Sequence, residues 1–150
     1  MGVKKFRQRV SAPRLVSNKE RVTKYQRYLY DYSALGGGTG AKTLTDADGG
    51  TQTIPDNAVV LRCIQETVTT LGAAAGTPTV KLGITGNDDA FVGATNYNEA
   101  GMVTEIITSR ASELPLKINN SSGVSVLATI ASNSLNAGKF YLWIEYLEGA

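Results

Sequence analysis

Apolar and polar residues alternate along most of this chain, and the alternation has the period of a β-strand. "TVKLGIT" (79–85) puts Val80, Leu82 and Ile84 on one face and Lys81 and Gly83 on the other. "KFYLWIEYL" (139–147) puts Leu142, Ile144 and Tyr146 on an apolar face, and Tyr141, Trp143 and Glu145 on the opposite one. "YLYDYS" (28–33) reads as a first strand and "AKTLT" (41–45) as a second. The longest strand follows a Pro-Asp-Asn turn in "TIPDNAVVLRCIQETVTTL" (53–71). There Val60, Arg62, Ile64, Glu66 and Val68 share one face, and Val59, Leu61, Cys63, Gln65 and Thr67 the other. Neither face is purely apolar, which suits a strand near a sheet edge or a subunit interface. "LPLKI" (114–118) and "VSVLATIA" (124–131) complete the strands, with "GAAAGTP", "GNDDA" and "NNSSG" as turns and "SNSLNAGK" (132–139) as a long hairpin. Only "FVGATNYNEAGMVTEIITS" (91–109) has room for a helical turn, with Met102, Val103, Ile106 and Ile107 suitably spaced. Seven or eight short strands separated by turn signals predict an all-β protein, an antiparallel β-sandwich of jelly-roll type. No internal repeat accompanies them.

Charge divides the chain. Residues 1–30 contain Lys4, Lys5, Arg7, Arg9, Arg14, Lys19, Arg21, Lys24 and Arg27 against the single acid Glu20, nine minus one, or +8. The remaining six bases face twelve acids, or −6. The basic stretch carries no sustained apolar face, and Pro13 interrupts it. We therefore expect an extended basic arm over residues 1–26 and a β-sandwich domain over 27–150, the arm ordering on a negatively charged partner. Nucleic acid, an acidic protein surface, and the acidic body of this or a neighbouring copy all fit electrostatically. Tyr28, Tyr30 and Tyr32 recur at every second residue, as on one face of a strand, so packing in a core or a subunit interface is the expected use.

Two stretches invite chemical readings that their spacing rejects. "LGGGTGAKT" (35–43) resembles a phosphate-binding loop, yet Ala41 separates Gly40 from Lys42 and displaces the G-K-[ST] ending by one residue. It matches G-x-G-x-x-A at Gly36, Gly38 and Ala41, but that pattern must open a helix whose N-terminus carries the phosphates. The residues that follow, with Gly49, Gly50 and Pro55, hold no helical stripe. "DADGG" (46–50) fails as a calcium loop, because counting from Asp46 places Gly50, Thr51 and Asn57 where an acid, a glycine and a glutamate belong. A hairpin turn accounts for it better.

Composition narrows the chemistry further. There is no histidine, the commonest general base and metal ligand. Cys63 is the one cysteine, which excludes an internal disulfide or a cysteine cluster for zinc, and its apolar setting reads as a buried strand position. No G-x-S-x-G or S-x-x-K is present, and Asp88 and Asp89 are adjacent in a turn-like context. We expect no enzyme, no catalytic residue, no metal and no cofactor. No run approaches the ~18 apolar residues of a membrane span. The basic N-terminus lacks the apolar region of a secretory signal, and Phe6 stands where myristoylation prefers Ser or Thr. The formal glycosylation acceptors Asn119 and Asn120 mean little without such a signal, and synthesis in the cytoplasm is the expectation.

The body resembles a family of small structural proteins of tailed bacteriophages. The resemblance is carried by "YDYSALGGGTGAKTL", the "IPDNAVVL" that opens the long strand, "TVKLGITGNDDAFVGAT", and the closing "VLATIASNSLNAGKFYLWIEYL", over roughly residues 29–147. Members of the family resemble capsid decoration, or cement, proteins: β-sandwiches, often jelly rolls, that sit outside the icosahedral shell as symmetric oligomers and brace neighbouring capsomers. The resemblance implies a virion protein on the capsid surface whose partner is the major capsid protein, and a homo-oligomer, a trimer. The arm lies outside the matched region. Its Lys4, Lys5, Arg7, Arg9, Arg14, Lys19 and Arg21 are our candidates for the capsid contact, and Tyr28, Tyr30, Tyr32 and Trp143 for the oligomer interface. Alternatives are another virion part (a head–tail adaptor, tail component or fibre base) or a nucleic-acid-binding module acting through the arm. A carbohydrate-binding or hydrolytic sandwich would rest on Tyr97 and Trp143 as exposed aromatics. No membrane partner is expected.

Overall fold

The computed structural model of the protein describes residues 22–96, 104–106 and 114–148. It is an antiparallel β-sandwich of jelly-roll type. The strands are β1 (Thr23–Asp31), β2 (Gly40–Thr43), β3 (Thr53–Ile54), β4 (Val59–Ala73), β5 (Thr79–Ile84), β6 (Asn87–Asn96), β7 (Thr104–Ile106), β8 (Leu116–Lys117), β9 (Val124–Ala131) and β10 (Leu135–Leu147). In the first sheet the order is β1-β10-β4-β7, with β8 also on β4. In the second it is β2-β9-β5-β6, with β3 also on β9. Every pairing is antiparallel.

One core lies between the sheets. The first sheet contributes Tyr28, Tyr30, Cys63, Phe140, Leu142 and Ile144, and the second Leu82, Phe91, Val126, Ala128 and Ile130. The alternation maps directly onto burial in β9 and in residues 139–147 of β10, where inward residues are buried and those between them half-exposed; in β5 it holds except at Gly83, which is buried as well. Burying such side chains contributes about 1.5–3 kcal/mol each. Tyr30 and Phe140 stack at 5.1 Å between ring centroids, joining β1 to β10 inside the core.

The longest strand departs from its simple pattern. Glu145 pairs with Arg62 while Tyr146 pairs with Val60, so Leu61 is an extra residue in a β-bulge. The bulge reverses the phase, and Val60 points inward together with Cys63 and Gln65, not with Arg62 and Ile64. The mixed faces of β4 therefore reflect a bulged strand next to the sheet edge, between β10 on one side and the short β7 and β8 on the other.

Other expectations shift as well. The first strand ends at Asp31, whose carboxylate accepts the Ser33 backbone N–H at 2.9 Å and caps a single helical turn, α1 (Tyr32–Leu35). Tyr32 thus leaves the strand. "GNDDA" is not a loop: Thr85 and Gly86 form the turn, and Asn87, Asp88 and Asp89 begin β6. "SNSLNAGK" is not a hairpin either. Residues 132–134 carry the chain from β9 in one sheet to β10 in the other, and Leu135 to Gly138 already belong to β10. The helical turn expected within 91–109 is replaced at its start by β6 and at Thr104–Ile106 by β7, while Met102, Val103 and Ile107 fall outside the described residues.

The glycine run has a packing role. Gly36 ends α1 at φ +69°, a conformation that favours glycine. Gly37 is pressed against the start of β10: its carbonyl accepts the Leu135 N–H at 2.9 Å, and a Cβ on Gly37 would overlap the Leu135 carbonyl. The run is followed by β2 and not by a helix, so it lacks the N-terminus that a phosphate loop needs.

Candidate functional site

The structure separates the sequence-derived candidates into three groups. Lys4, Lys5, Arg7, Arg9, Arg14, Lys19 and Arg21 lie outside the described residues. Tyr28 and Tyr30 are fully buried in the chain's own core, so neither offers surface to a subunit interface. Their hydroxyls are satisfied internally, Tyr28 donating to Gln26 Oε1 at 2.9 Å and Tyr30 to the Gly36 carbonyl at 3.1 Å. Burial raises both phenol pKa values, that of Tyr30 to about 12. Tyr32 is half-buried against the edge of the core. Trp143 remains half-exposed on the outer face of the first sheet, and Tyr97 lies outside the described residues.

Register places Trp143 at the centre of a patch. Across β1, β10 and β4 the outward residues align in three rows: Tyr25, Glu145 and Arg62; Arg27, Trp143 and Ile64; Leu29, Tyr141 and Glu66. The Arg27 guanidinium lies 4.5 Å from the Tyr141 ring centre and 5.2 Å from that of Trp143. Trp143 Nε1 donates to Glu66 Oε2 at 2.9 Å, and Arg62 pairs with Glu145. Glu145 first, and then the Tyr25 hydroxyl, raise the pKa of the Arg62 guanidinium. A hollow of about 440 Å³ on this face is lined by Tyr25, Ile64, Glu66 and Trp143. Tryptophan, tyrosine and arginine are the residues that dominate protein–protein hot spots. Tyr25, Arg27 and Tyr141 were absent from the sequence-derived list, although the strand period that placed Tyr28 and Tyr30 inward already turned Tyr25 and Arg27 outward.

In this patch Arg62 pairs with Glu145, Glu66 with the Trp143 indole, and Arg27 with the aromatic rings. Cys63 is buried, and desolvation pushes its thiol pKa well up, away from the reactive thiolate. Asp88 pairs with Lys81 across β5 and β6 at 3.3 Å. Asp46 Oδ1 accepts the N–H groups of Asp48 at 2.9 Å and Gly50 at 2.7 Å, which folds "DADGG" into a closed loop. Among the described residues no three acidic or cysteine side chains converge as metal ligands, and no helix is long and apolar enough to cross a membrane.

No family model matches this chain, and no curated protein matches it in sequence. Its fold is shared by solved capsid chains. A chain of the cyanophage Pam1 capsid asymmetric unit aligns with a TM-score of 0.58 at 18% identity, covering 94% of each chain. A chain of the acid-stable capsid of Helicobacter pylori bacteriophage KHP30 aligns at 0.57 and 16% identity, over 86% of this chain and 90% of that one. A chain of the Ralstonia phage GP4 capsid aligns at 0.56 and 19% identity, over 86% of both. Because similar shares of both partners are covered, the matched chains are close to this chain in length. In fold, this β-sandwich is similar to small chains found in bacteriophage capsids.

Proposed function

We propose that this protein is a non-enzymatic structural component of a bacteriophage virion, bound to the outside of the capsid and stabilising contacts between major capsid protein subunits. The observation that carries the reading is the fold shared, over 86–94% of its length, with similarly sized chains of three phage capsids. A 150-residue sandwich suits an accessory brace on a shell built by another protein. Packaged DNA presses outward on such a shell, and a brace across its seams raises the cost of separating subunits. Lys4, Lys5, Arg7 and Arg9, with Arg14, Lys19 and Arg21, supply the positive charge for an acidic shell surface. The outer face around Trp143 suits a partner of mixed polarity. A homotrimer matches the local threefold positions of icosahedral shells.

Co-sedimentation with shells stripped of this protein tests the proposal. The comparison is between the full chain and a chain starting at Val22, which leaves β1 and the Lys24–Glu148 ion pair (2.7 Å) intact. Saturable binding at many sites per shell is expected, weakened by truncation and by salt. Failure of both chains to bind would sink the shell reading. Binding to random DNA that falls steeply with salt would move the arm to nucleic acid.

A further inference from the structure

One edge of the first sheet is β1. On β1, Leu29 exchanges both backbone hydrogen bonds with Thr45 on the side away from β10, at 2.7 and 3.2 Å. Backbone groups of alternate residues in a strand point the same way, and β1 pairs with β10 without a bulge. The N–H and C=O groups of Thr23, Tyr25 and Arg27 therefore also point away from β10. Among the described residues nothing pairs with them. Such a row of unpaired groups is a template for another strand.

Beside this edge lies a hollow of about 470 Å³ between β1 and the closed loop, lined by Tyr25, Arg27, Asp46, Asp48 and Gln52 among others. Its far wall is acidic. Asp46 spends one oxygen on its own loop, while Asp48 is exposed and has no ion-pair partner among the described residues. On the near side, Arg27 is drawn over Tyr141 and Trp143, and Lys24 is paired with Glu148. The groove thus offers backbone partners on one side and carboxylates on the other, which suits an extended segment rich in lysine and arginine.

We propose that this groove receives the basic arm of a neighbouring copy, which adds a strand to the β1 edge. Residues 14–21 carry Arg14, Lys19 and Arg21, enough positive charge to face Asp46 and Asp48. Eight extended residues span roughly 26 Å, more than the ladder from Thr23 to Arg27 requires. Pro13 has no N–H and ends the added strand, leaving Lys4, Lys5, Arg7 and Arg9 free for a second surface. The arm joins its own body at Val22, at the end of this same edge. To occupy its own groove it would have to reverse direction at once, whereas a second copy's arm enters without that turn. The inference concerns contacts between copies and stands whether or not the chain decorates a shell.

Sedimentation velocity of the full chain in solution tests it, with Tyr25→Pro as the main variant. Proline removes an outward N–H from an edge strand, where it disturbs no bond to β10. Tyr25→Ala removes the ring and keeps the N–H. Wild type and Tyr25→Ala are expected to self-associate. Tyr25→Pro should do so roughly tenfold more weakly or worse, a tenfold loss being about 1.4 kcal/mol, the upper range for one lost backbone hydrogen bond. Asp48→Lys, at an exposed loop position, should weaken association without touching β1. Mixing supplies the sharper readout. A chain beginning at Val22 keeps the whole core, which runs from Tyr28 to Tyr146. It has a groove and no arm, whereas Tyr25→Pro has an arm and no groove. At a concentration that leaves Tyr25→Pro unassociated, each alone should sediment as a monomer, and their mixture as a dimer. A monomeric wild type, association unchanged in both Tyr25→Pro and Asp48→Lys, or a mixture that stays monomeric would each overturn the proposal.

Discussion

The two faces of β10 come from the same thirteen residues and do opposite work. Inward, Phe140, Leu142, Ile144 and Tyr146 are at most 4% exposed and hold the sheets together by burial. Outward, Tyr141, Trp143 and Glu145 stay half-exposed, and each is tied to a neighbour on β1 or β4 through a cation–π contact, a hydrogen bond or an ion pair. The inner face is apolar and close-packed. The outer face is specific in direction and charge, and specificity is of little use to a surface that only meets water. The contrast teaches that one strand can carry burial on one set of alternate residues and directional polar contacts on the other.

Truncating the inner face should have the largest effect. Phe140→Ala removes the ring that stacks on Tyr30 and should cost about 3–5 kcal/mol in chemical denaturation. A loss below 1 kcal/mol would mean the sheets are not held there. Raising pH probes the same face more gently. Burial raises the folded pKa of Tyr30 from 10.0 to about 12. Above pH 10 the unfolded chain loses this proton while the folded chain keeps it, so the contribution is complete below pH 10 and drains away between 10 and 12. Denaturation midpoints should therefore fall over that window, and Tyr30→Phe should flatten part of the fall. Trp143→Ala on the outer face should have the smallest effect on stability, about 1–2 kcal/mol, while weakening attachment to shells more than it lowers the midpoint. Equal losses on both readouts would erase the distinction between the faces.

Much of the sandwich was legible in the sequence because alternation is a local signal. Val80, Leu82 and Ile84, and the inward residues of β10, followed directly from it. What failed was non-local. The bulge at Leu61 is set by how β4 meets β10, and no local residue announces it. Residues 132–134 look like a hairpin loop from either end, and only the sheet order reveals a crossing between layers. Tyr32 continued an aromatic alternation that Asp31 stopped by capping a helical turn. The candidate site was half-legible for a related reason: the period identifies which residues face out, but the cluster around Trp143 exists only once β1 and β4 lie on either side of it.

Sheet order also sets a timetable. The last described strand, β10, lies between β1, the first, and β4, and it pairs Thr23 with Leu147. During synthesis, then, the first sheet has no centre until residues 135–147 have emerged. Until then β1 is an unpaired aromatic segment, and the positively charged residues before it reach solvent ahead of any folded body. Folding that awaits such distant partners is slow, and the waiting chain is exposed to misassociation with its neighbours. In a cell producing many copies at once, yield would be governed by how quickly the end of the chain follows its beginning.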